Sequence, residues 1–291
     1  MLARLLIVLT TLIGLAFGTY WAYEASRFYV FQSGFTGSST YNLLFESAVW
    51  AIPIAILFGI LLGSFAKRKV VPSIKNGKVL RHDETMFFQH WANAFATLIL
   101  IGTGIALGFL IFPRFVTEPQ NIGFVMNLHF IGACLFLFVI FFHVTKNILS
   151  GEIKENMPKA HDIPNAINHY KAKFGFGKQP VEGKYLASER LSYPAWGVVI
   201  ALIILTGLTK VSAYIWNMPE GLMAAATFLH GLATILIIFL LIIHVIAGAI
   251  IPPSWPLLRS MITGYVKEDY VKSHHVNWYK EIKENEARTK K

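Results

Sequence analysis

The sequence predicts an all-α integral membrane protein with six transmembrane helices, the last four of which form a four-helix core. Hydrophobic residues make up 55% of the 291 positions and charged residues only 14%, with a mean hydropathy of +0.52. This composition is too apolar for an ordinary soluble domain. Six apolar runs are long enough to cross a hydrocarbon layer of about 30 Å as helices. Two of these runs carry histidine pairs at the same spacing, which indicates an internal repeat.

The six runs define the elements in chain order. They extend approximately from Leu2 to Tyr23, Ala48 to Ala66, Phe87 to Phe112, Gly123 to Leu149, Ser192 to Trp216 and Gly221 to Ile251. The first run also has features of a secretory signal peptide, since Arg4 precedes it and small residues follow, but we expect it to be retained. The chain then divides into an N-terminal helix pair with a basic loop (1–80), the four-helix core (81–265) and a C-terminal tail (266–291).

Lysine and arginine are distributed unevenly among the segments that connect the runs. They concentrate after the second run, in the loop 151–191 and in the C-terminal tail, whereas 24–47, 113–122 and 217–220 carry few. Because basic segments remain on the cytoplasmic side, we expect a multi-pass protein with both termini inside. The net charge of +10 is explained by this bias and by contact with anionic membrane lipid, so we expect no nucleic-acid partner.

Two of the apolar runs carry paired histidines. His129 and His143 lie fourteen residues apart, and His230 and His244 repeat that spacing. In a helix each pair shares one face, with roughly 21 Å between its members along the axis. Two such helices facing each other would provide two bis-imidazole sites, one toward each membrane surface, and imidazole is a common axial ligand of haem iron. We therefore expect two haem groups that carry electrons across the membrane.

The single cysteine restricts the kind of haem. Cys134 alone provides neither a C-x-x-C-H attachment motif nor the thiolates of a Cys-ligated iron–sulfur cluster. The two haems are therefore expected to be non-covalent, b-type groups.

The four core helices resemble a duplicated two-helix unit. The histidine pairs are related by a constant offset of 101 residues, and the segment 98–104 is similar to 202–207. The first half has one additional histidine, because His90 corresponds to Ala195 in the second half. His90 is expected at the same membrane depth as His143 and His244, so three histidines compete for two inner axial positions. Spacing does not choose among them.

At these residues the chain resembles the gamma, or cytochrome b, subunit of membrane-bound formate dehydrogenases, from about Arg81 to Lys283. The matching stretches are Gln89-His90-Trp91, Leu128-His129, the pair His230 and His244, and the tail motif His274-His275-Val276-Asn277-Trp278-Tyr279. The resemblance implies a four-helix module with two b-type haems. It further implies that His129 and His230 hold the outer haem and that His90 and His244 hold the inner haem. His143 would then be an alternative ligand of the inner haem or a quinone contact.

The resemblance also implies a role in a respiratory chain of the bacterial cytoplasmic (inner) membrane. Electrons would arrive from a periplasmic iron–sulfur subunit fed by a molybdenum or tungsten catalytic subunit. They would reduce menaquinone or another quinone at the cytoplasmic side, near His244, Tyr185 and Glu189. The family's quinone segment reads Tyr-Asn-Ala-Gly-Gln-Lys, and this chain has Tyr-Leu-Ala-Ser-Glu-Arg at 185–190. This departure removes the amide side chains, while the place of the segment in the chain matches that of the family.

Two other functions are compatible with the same residues. The cytochrome b subunit of a hydrogenase or of a sulfur-compound reductase would use the same haem scaffold. A transporter could use intramembrane histidines to bind a metal ion or relay protons. The two histidine-paired runs contain no aspartate or glutamate, which disfavours the transporter.

Overall fold

The computed structural model describes residues 2–36, 43–66 and 71–289, and it confirms the predicted fold class. Twelve α-helices and three short strands are present in these residues. The helices are α1 Leu2–Thr36, α2 Leu44–Ser47, α3 Ala51–Phe65, α4 Glu84–Leu107, α5 Pro119–Ser150, α6 Ile153–Asn156, α7 Asp162–Lys173, α8 Ala187–Ser212, α9 Glu220–Val245, α10 Trp255–Thr263, α11 Glu268–His274 and α12 Val276–Thr289. The strands are β1 Ile74–Lys75, β2 Lys78–Leu80 and β3 Tyr265–Lys267.

Five of the described helices are long and apolar enough to cross a membrane: α1, α4, α5, α8 and α9. The second predicted span is shorter than expected, because residues 48–50 form a turn and α3 has only 15 residues. A helix of that length rises about 22 Å, which is less than the roughly 30 Å of a hydrocarbon core. The chain is therefore a multi-pass membrane protein with five long spans and one short apolar helix. The basic run 67–69, used above to predict orientation, lies outside the described residues.

The chain forms two compact units, each assembled from several segments. The first comprises Met1–Ala66, Phe88–Lys146 and Val199–Ile238, and the second comprises the remaining residues. In the first unit, a buried apolar cluster joins the N-terminal helices to α5 and α8. Its members are Leu44, Phe45, Ala48, Ile52, Phe130 and Leu137, with Ile204, Leu208 and Val211 packed against them.

Small and polar residues hold the short N-terminal helices against α5. A Cβ atom on Gly63 would lie 2.7 Å from the carbonyl oxygen of Phe142, and one on Gly59 would collide with the carbonyl oxygen of Phe138. Both positions therefore require glycine for the backbones of α3 and α5 to approach this closely. The buried amide of Asn127 on α5 accepts a hydrogen bond from the backbone N–H of Leu44 at 2.8 Å. These contacts give the N-terminal helices a packing role that the sequence did not reveal.

The second unit contains the three strands and the C-terminal tail. The strands pair antiparallel in the order β1-β2-β3, so the tail strand β3 joins a hairpin that precedes α4. Val79, Val266, Val271, Trp278 and Ile282 form a buried cluster beneath them. The tail is therefore an integral part of a folded unit. The loop 151–191 carries α6 and α7, and the division at 80 and 265 stays a prediction.

Candidate functional site

A cavity of about 870 Å³ lies within the first unit. It is lined by residues of α4, α5, α8 and α9, and both His129 and His230 face it. Its volume falls in the range of roughly 300–1,000 Å³ that is usual for cofactor and ligand sites. The structure thus brings together the two histidines that the sequence pairs at the outer position.

A threonine orients His129. The hydroxyl of Thr103 on α4 lies 2.6 Å from the carbonyl oxygen of Ile99, one turn earlier, and 2.8 Å from Nδ1 of His129. The hydroxyl has one proton, which it donates to the carbonyl, so it accepts the Nδ1–H of the imidazole. Nε2 of His129 then carries the free lone pair that a metal ligand needs.

The second half of the repeat has the same arrangement. Thr206 on α8 donates to the carbonyl of Leu202 at 2.8 Å and lies 3.0 Å from Nδ1 of His230. The same proton count makes the threonine oxygen an acceptor and leaves Nε2 of His230 unprotonated. Both imidazoles therefore belong to the tautomer that ligates through Nε2, and each is held by a neighbouring helix.

Glycines keep the cavity open beside these histidines. Gly104, Gly207 and Gly231 line it. A Cβ on Gly207 would lie 3.3 Å from Cε1 of His230, whereas one on Gly104 would meet no atom within 4 Å. Gly132 differs, because its Cβ would lie 3.0 Å from Ile99, which indicates helix packing. Only part of the glycine set in the core helices is therefore associated with the cavity.

These residues fit a b-type haem. The donor set consists of two neutral imidazoles with Nε2 available, on two different helices, facing one largely apolar cavity. Histidine is a common axial ligand of haem iron. When one ring nitrogen binds the metal, a hydrogen bond at the other, here Nδ1, fixes the orientation of the ring. Among the described residues, no group of three or more His, Cys, Asp or Glu side chains is arranged to hold a bare metal ion.

His90 and His143 lie on α4 and α5 of the first unit. Nδ1 of His143 lies 2.7 Å from Oε1 of Gln89. An amide oxygen only accepts, so His143 donates from Nδ1 and its Nε2 is unprotonated. The His90 ring packs against Trp91, with centroids 5.0 Å apart. The carbonyl of Gln89 therefore orients His143 in the same way that a threonine orients each cavity histidine.

His244 belongs to the second unit, near the end of α9. Its ring meets Trp196 edge to face, with centroids 6.4 Å apart. The five residues that follow the end of α9 at Val245, Ile246–Ile250, form a π-helical turn that ends before Pro252. π-Helical turns are rare in proteins, and those that occur are often found at functional sites.

Glu189 has defined partners in the second unit. Its carboxylate forms an ion pair with the buried guanidinium of Arg81 at 3.1 Å and accepts the backbone N–H of Leu186 at 2.8 Å. The second bond caps the start of α8. Tyr185 lies beside this pair, and burial raises the pKa of its phenol well above the usual range. Tyr185 and Glu189 are therefore close to one buried cation, which the sequence did not reveal.

The tail histidine His275 is buried in the same unit. Its Nδ1 donates to the carbonyl of Gly183 at 2.6 Å, and its Nε2 accepts from Arg81 at 3.2 Å. Burial, and then the charge of Arg81, lowers the pKa of His275 to about 3. The tail motif therefore secures the segment that precedes α8.

Sequence reasoning missed Thr103, Thr206 and Lys210 at the cavity. The two threonines occupy the same place in both halves, directly before Gly104 and Gly207, and this duplicated Thr-Gly pair was the available signal. Lys210 also lines the cavity. It was hidden because the first half has Leu107 at the corresponding place.

Known proteins share the sequence of this core. The family model described as prokaryotic cytochrome b561 matches residues 81–264. The cytochrome b556 subunit of the nitrate-inducible formate dehydrogenase of Escherichia coli (strain K12) is 25% identical over 205 residues, which cover 68% of this chain and 89% of that protein. A second formate dehydrogenase cytochrome b556 subunit of that organism is 24% identical, covering 70% and 93%. The corresponding subunit of Haemophilus influenzae is 20% identical, covering 70% and 83%.

The family match covers well over half of the chain and includes all the histidines discussed above except those of the tail. It agrees with the apolar helices and with the imidazole pair in the cavity. Together these findings identify a haem-b electron-transfer protein of the bacterial membrane, and the chain belongs to the prokaryotic cytochrome b561 family.

Proposed function

We propose that this chain is the membrane subunit of a formate dehydrogenase-type complex and carries electrons through two b-type haems to a quinone. The observation that carries the proposal is the cavity in which Thr103 and Thr206 orient His129 and His230 with Nε2 available. The similarity to formate dehydrogenase cytochrome subunits over most of their length supports the choice of complex.

His129 and His230 would hold the outer haem, and their threonines would fix the imidazole planes. A bound haem b supplies an iron that accepts and releases one electron at a time. The apolar cavity wall excludes water from that site, and the glycines leave room for the flat macrocycle. The remaining residues thus provide orientation and insulation.

His90 and His244 would hold the inner haem, as the family resemblance implies. His143 is the alternative, because its Nδ1 bond to Gln89 leaves its Nε2 unprotonated. In the preferred assignment His143 is instead a quinone contact, and its Nε2 would accept a hydrogen bond from a hydroxyl of the reduced quinone.

The quinone would be reduced at the cytoplasmic side, near His244, Tyr185 and Glu189. Both electrons of a quinone reduction require a proton each, and Glu189 is the carboxylate of this segment. Its ion pair with the buried guanidinium of Arg81 would hold this carboxylate in place beside the quinone. Menaquinone is the quinone that the resemblance implies.

The partners would be an iron–sulfur subunit on the periplasmic side and a molybdenum- or tungsten-containing catalytic subunit beyond it. Both termini of this chain would be cytoplasmic, in accordance with the basic loops. The alternative is that the chain belongs to a hydrogenase or a sulfur-compound reductase, which would use the same kind of cytochrome. The test therefore compares different electron donors.

The test uses the intact complex in sealed vesicles with the catalytic subunit outside. Formate should reduce the quinone, take up protons from the interior and generate a membrane potential. The His230→Ala complex should lose quinone reduction, while its catalytic partner still reduces a soluble dye. Quinone reduction at the wild-type rate in His230→Ala, or turnover without a potential, would contradict the proposal. Reduction by hydrogen or a sulfur compound in place of formate would overturn the assignment of the complex.

A further inference from the structure

We propose that Lys210 binds the propionate carboxylates of the haem held by His129 and His230, and so fixes which way round that haem lies in the cavity. This inference rests on the proposed function and adds a residue to it. It assigns a role to a charged side chain in the cavity wall that is not one of the two histidine ligands.

Lys210 is the sole lysine or arginine among the described residues that line the cavity. It lies near the C-terminal end of α8 and is partly buried. Within the described part of the chain its ammonium group makes no hydrogen bond or ion pair. A partly buried charge without a partner is costly, so a site that presents one to a cavity favours an anionic ligand.

The position of Lys210 relates it directly to the histidine site. It follows Thr206 by four residues, so both side chains lie on one face of α8, about 6 Å apart along the axis. Its charge acts on both His129 and His230. The ammonium group of Lys210 therefore lies close to the two histidines, one helical turn beyond Thr206 toward the C-terminal end of α8.

The chemistry of haem b matches such a cation. The macrocycle is apolar except for two propionates on one edge, which are anionic at neutral pH. The cavity wall is mostly apolar, and its other charged residue, Glu220, is an exposed carboxylate at the start of α9. Lys210 is thus the group in this wall that can neutralise a propionate.

Repeat symmetry shows why this residue determines orientation. Aligning Thr103-Gly104 with Thr206-Gly207 places Leu107 opposite Lys210, and both side chains line the cavity. The threonines and histidines are the same in both halves, so they do not distinguish the two ways of inserting an asymmetric haem. The charge on α8 distinguishes them.

The experiment compares the purified wild-type complex with Lys210→Met and Lys210→Arg, using haem with isotope-labelled propionate carbons. Redox-induced infrared difference spectra report the labelled carboxylates, and potentiometric titration reports the outer haem. Lys210→Met should shift the isotope-sensitive bands and lower the midpoint potential, since loss of a neighbouring positive charge disfavours the reduced form. Lys210→Arg should restore both.

Arg114→Gln is the control for charge alone. Arg114 is an exposed cation in the connection between α4 and α5 that does not line the cavity, and glutamine keeps a donor for its bond to the carbonyl of Leu107. This variant should leave the bands in place.

The outcomes separate this inference from the proposed function. Isotope-sensitive bands that are the same in wild type and Lys210→Met would overturn the role of Lys210, while the outer haem itself remains visible. If Lys210→Met loses the outer haem, recovery of that haem in Lys210→Arg supports the inference and failure to recover overturns it. Absence of an outer haem in the wild type would instead refute the proposed function.

Discussion

The hydroxyl groups of Thr103 and Thr206 act as hydrogen-bond relays at the residue scale. Each donates its proton to its own helix and accepts the Nδ1–H of a histidine on the next helix. Each therefore fixes the tautomer of its histidine without contacting Nε2, the atom that would ligate the haem iron. Residues that hydrogen-bond to a metal ligand are generally important, since their loss typically weakens metal binding by about 10- to 100-fold.

Thr206→Val tests this role. Valine keeps the shape of the side chain but offers no acceptor, so the His230 ring loses its fixed plane and tautomer. We expect a loss of outer haem on the order of 10-fold in affinity and a shifted potential for the remainder. The change in affinity is measured as the fraction of haem retained on dilution or in competition with an apo-haemoprotein. Thr209→Val is the matched control, because Thr209 bonds only its own helix and lies outside the cavity lining; equal losses in both variants would contradict the account.

A second residue-scale prediction concerns His90 and His143. We expect His90→Ala to abolish the inner haem, and His143→Ala to keep both haems and at most slow quinone reduction. Reduced-minus-oxidised spectra and a haem assay measure the result. Loss of a haem in His143→Ala with both retained in His90→Ala would show that His143, oriented by Gln89, is the ligand.

The buried ring of His275 predicts a pH dependence. In the unfolded tail an imidazole has a pKa of about 6.5, whereas in the folded unit the pKa is lowered to about 3. The unfolded state therefore binds more protons between these values, so the stabilisation by tail docking is complete above about pH 6.5 and declines as the pH falls toward 3. Hydrogen exchange of the 265–282 amides should accelerate in that range after correction for intrinsic rates. His275→Asn should remove this dependence and His274→Asn should retain it; the reverse pattern would refute the role of His275.

At the scale of elements, two short segments make packing contacts that the long helices do not provide. The helix pair α2 and α3 packs against α5 through Gly59, Gly63 and Asn127, and Phe45 and Ile52 from this region line the histidine cavity. In the other unit, strand β3 pairs with β2 and returns the tail to the hairpin. The N-terminal pair therefore forms part of the cavity wall.

Gly63→Leu tests that packing. The new side chain would collide with the backbone of Phe142, and overpacking of a helix contact typically costs about 1–3 kcal/mol. We expect a lower thermal unfolding temperature of the purified protein and faster loss of haem. Gly14→Leu is the control, because a Cβ on Gly14 meets no atom within 4 Å. If both variants melt alike, α3 does not depend on this contact.

The sequence predicted the long helices well because their apolar length is a local property. It overestimated the second span, since Ala48 to Trp50 are apolar yet form a turn whose geometry depends on the packing of Leu44 and Phe45. The repeat and the family resemblance paired His129 with His230. The sequence did not reveal Thr206, Lys210 or the contact of His275 with Arg81, because these depend on which residues meet between helices or across long sequence separations.

At the scale of the whole molecule, the chain is a membrane cytochrome b whose core resembles a duplicated helix pair, and under the proposed function each half would supply one ligand to each haem. Five long helices, a family match from residue 81 to 264 and the cavity with two oriented imidazoles support this description. The two halves differ at Lys210 and at His90, and under the proposed function these differences would give the two haems different properties.

The haem content of the purified chain shows whether the paired histidines hold two haems. A pyridine haemochrome assay with a quantitative protein assay should give two b-type haems per wild-type chain. It should give one in His230→Ala, with the spectrum of the inner haem unchanged. A ratio near one in the wild type, or a ratio of two in His230→Ala, would contradict the account.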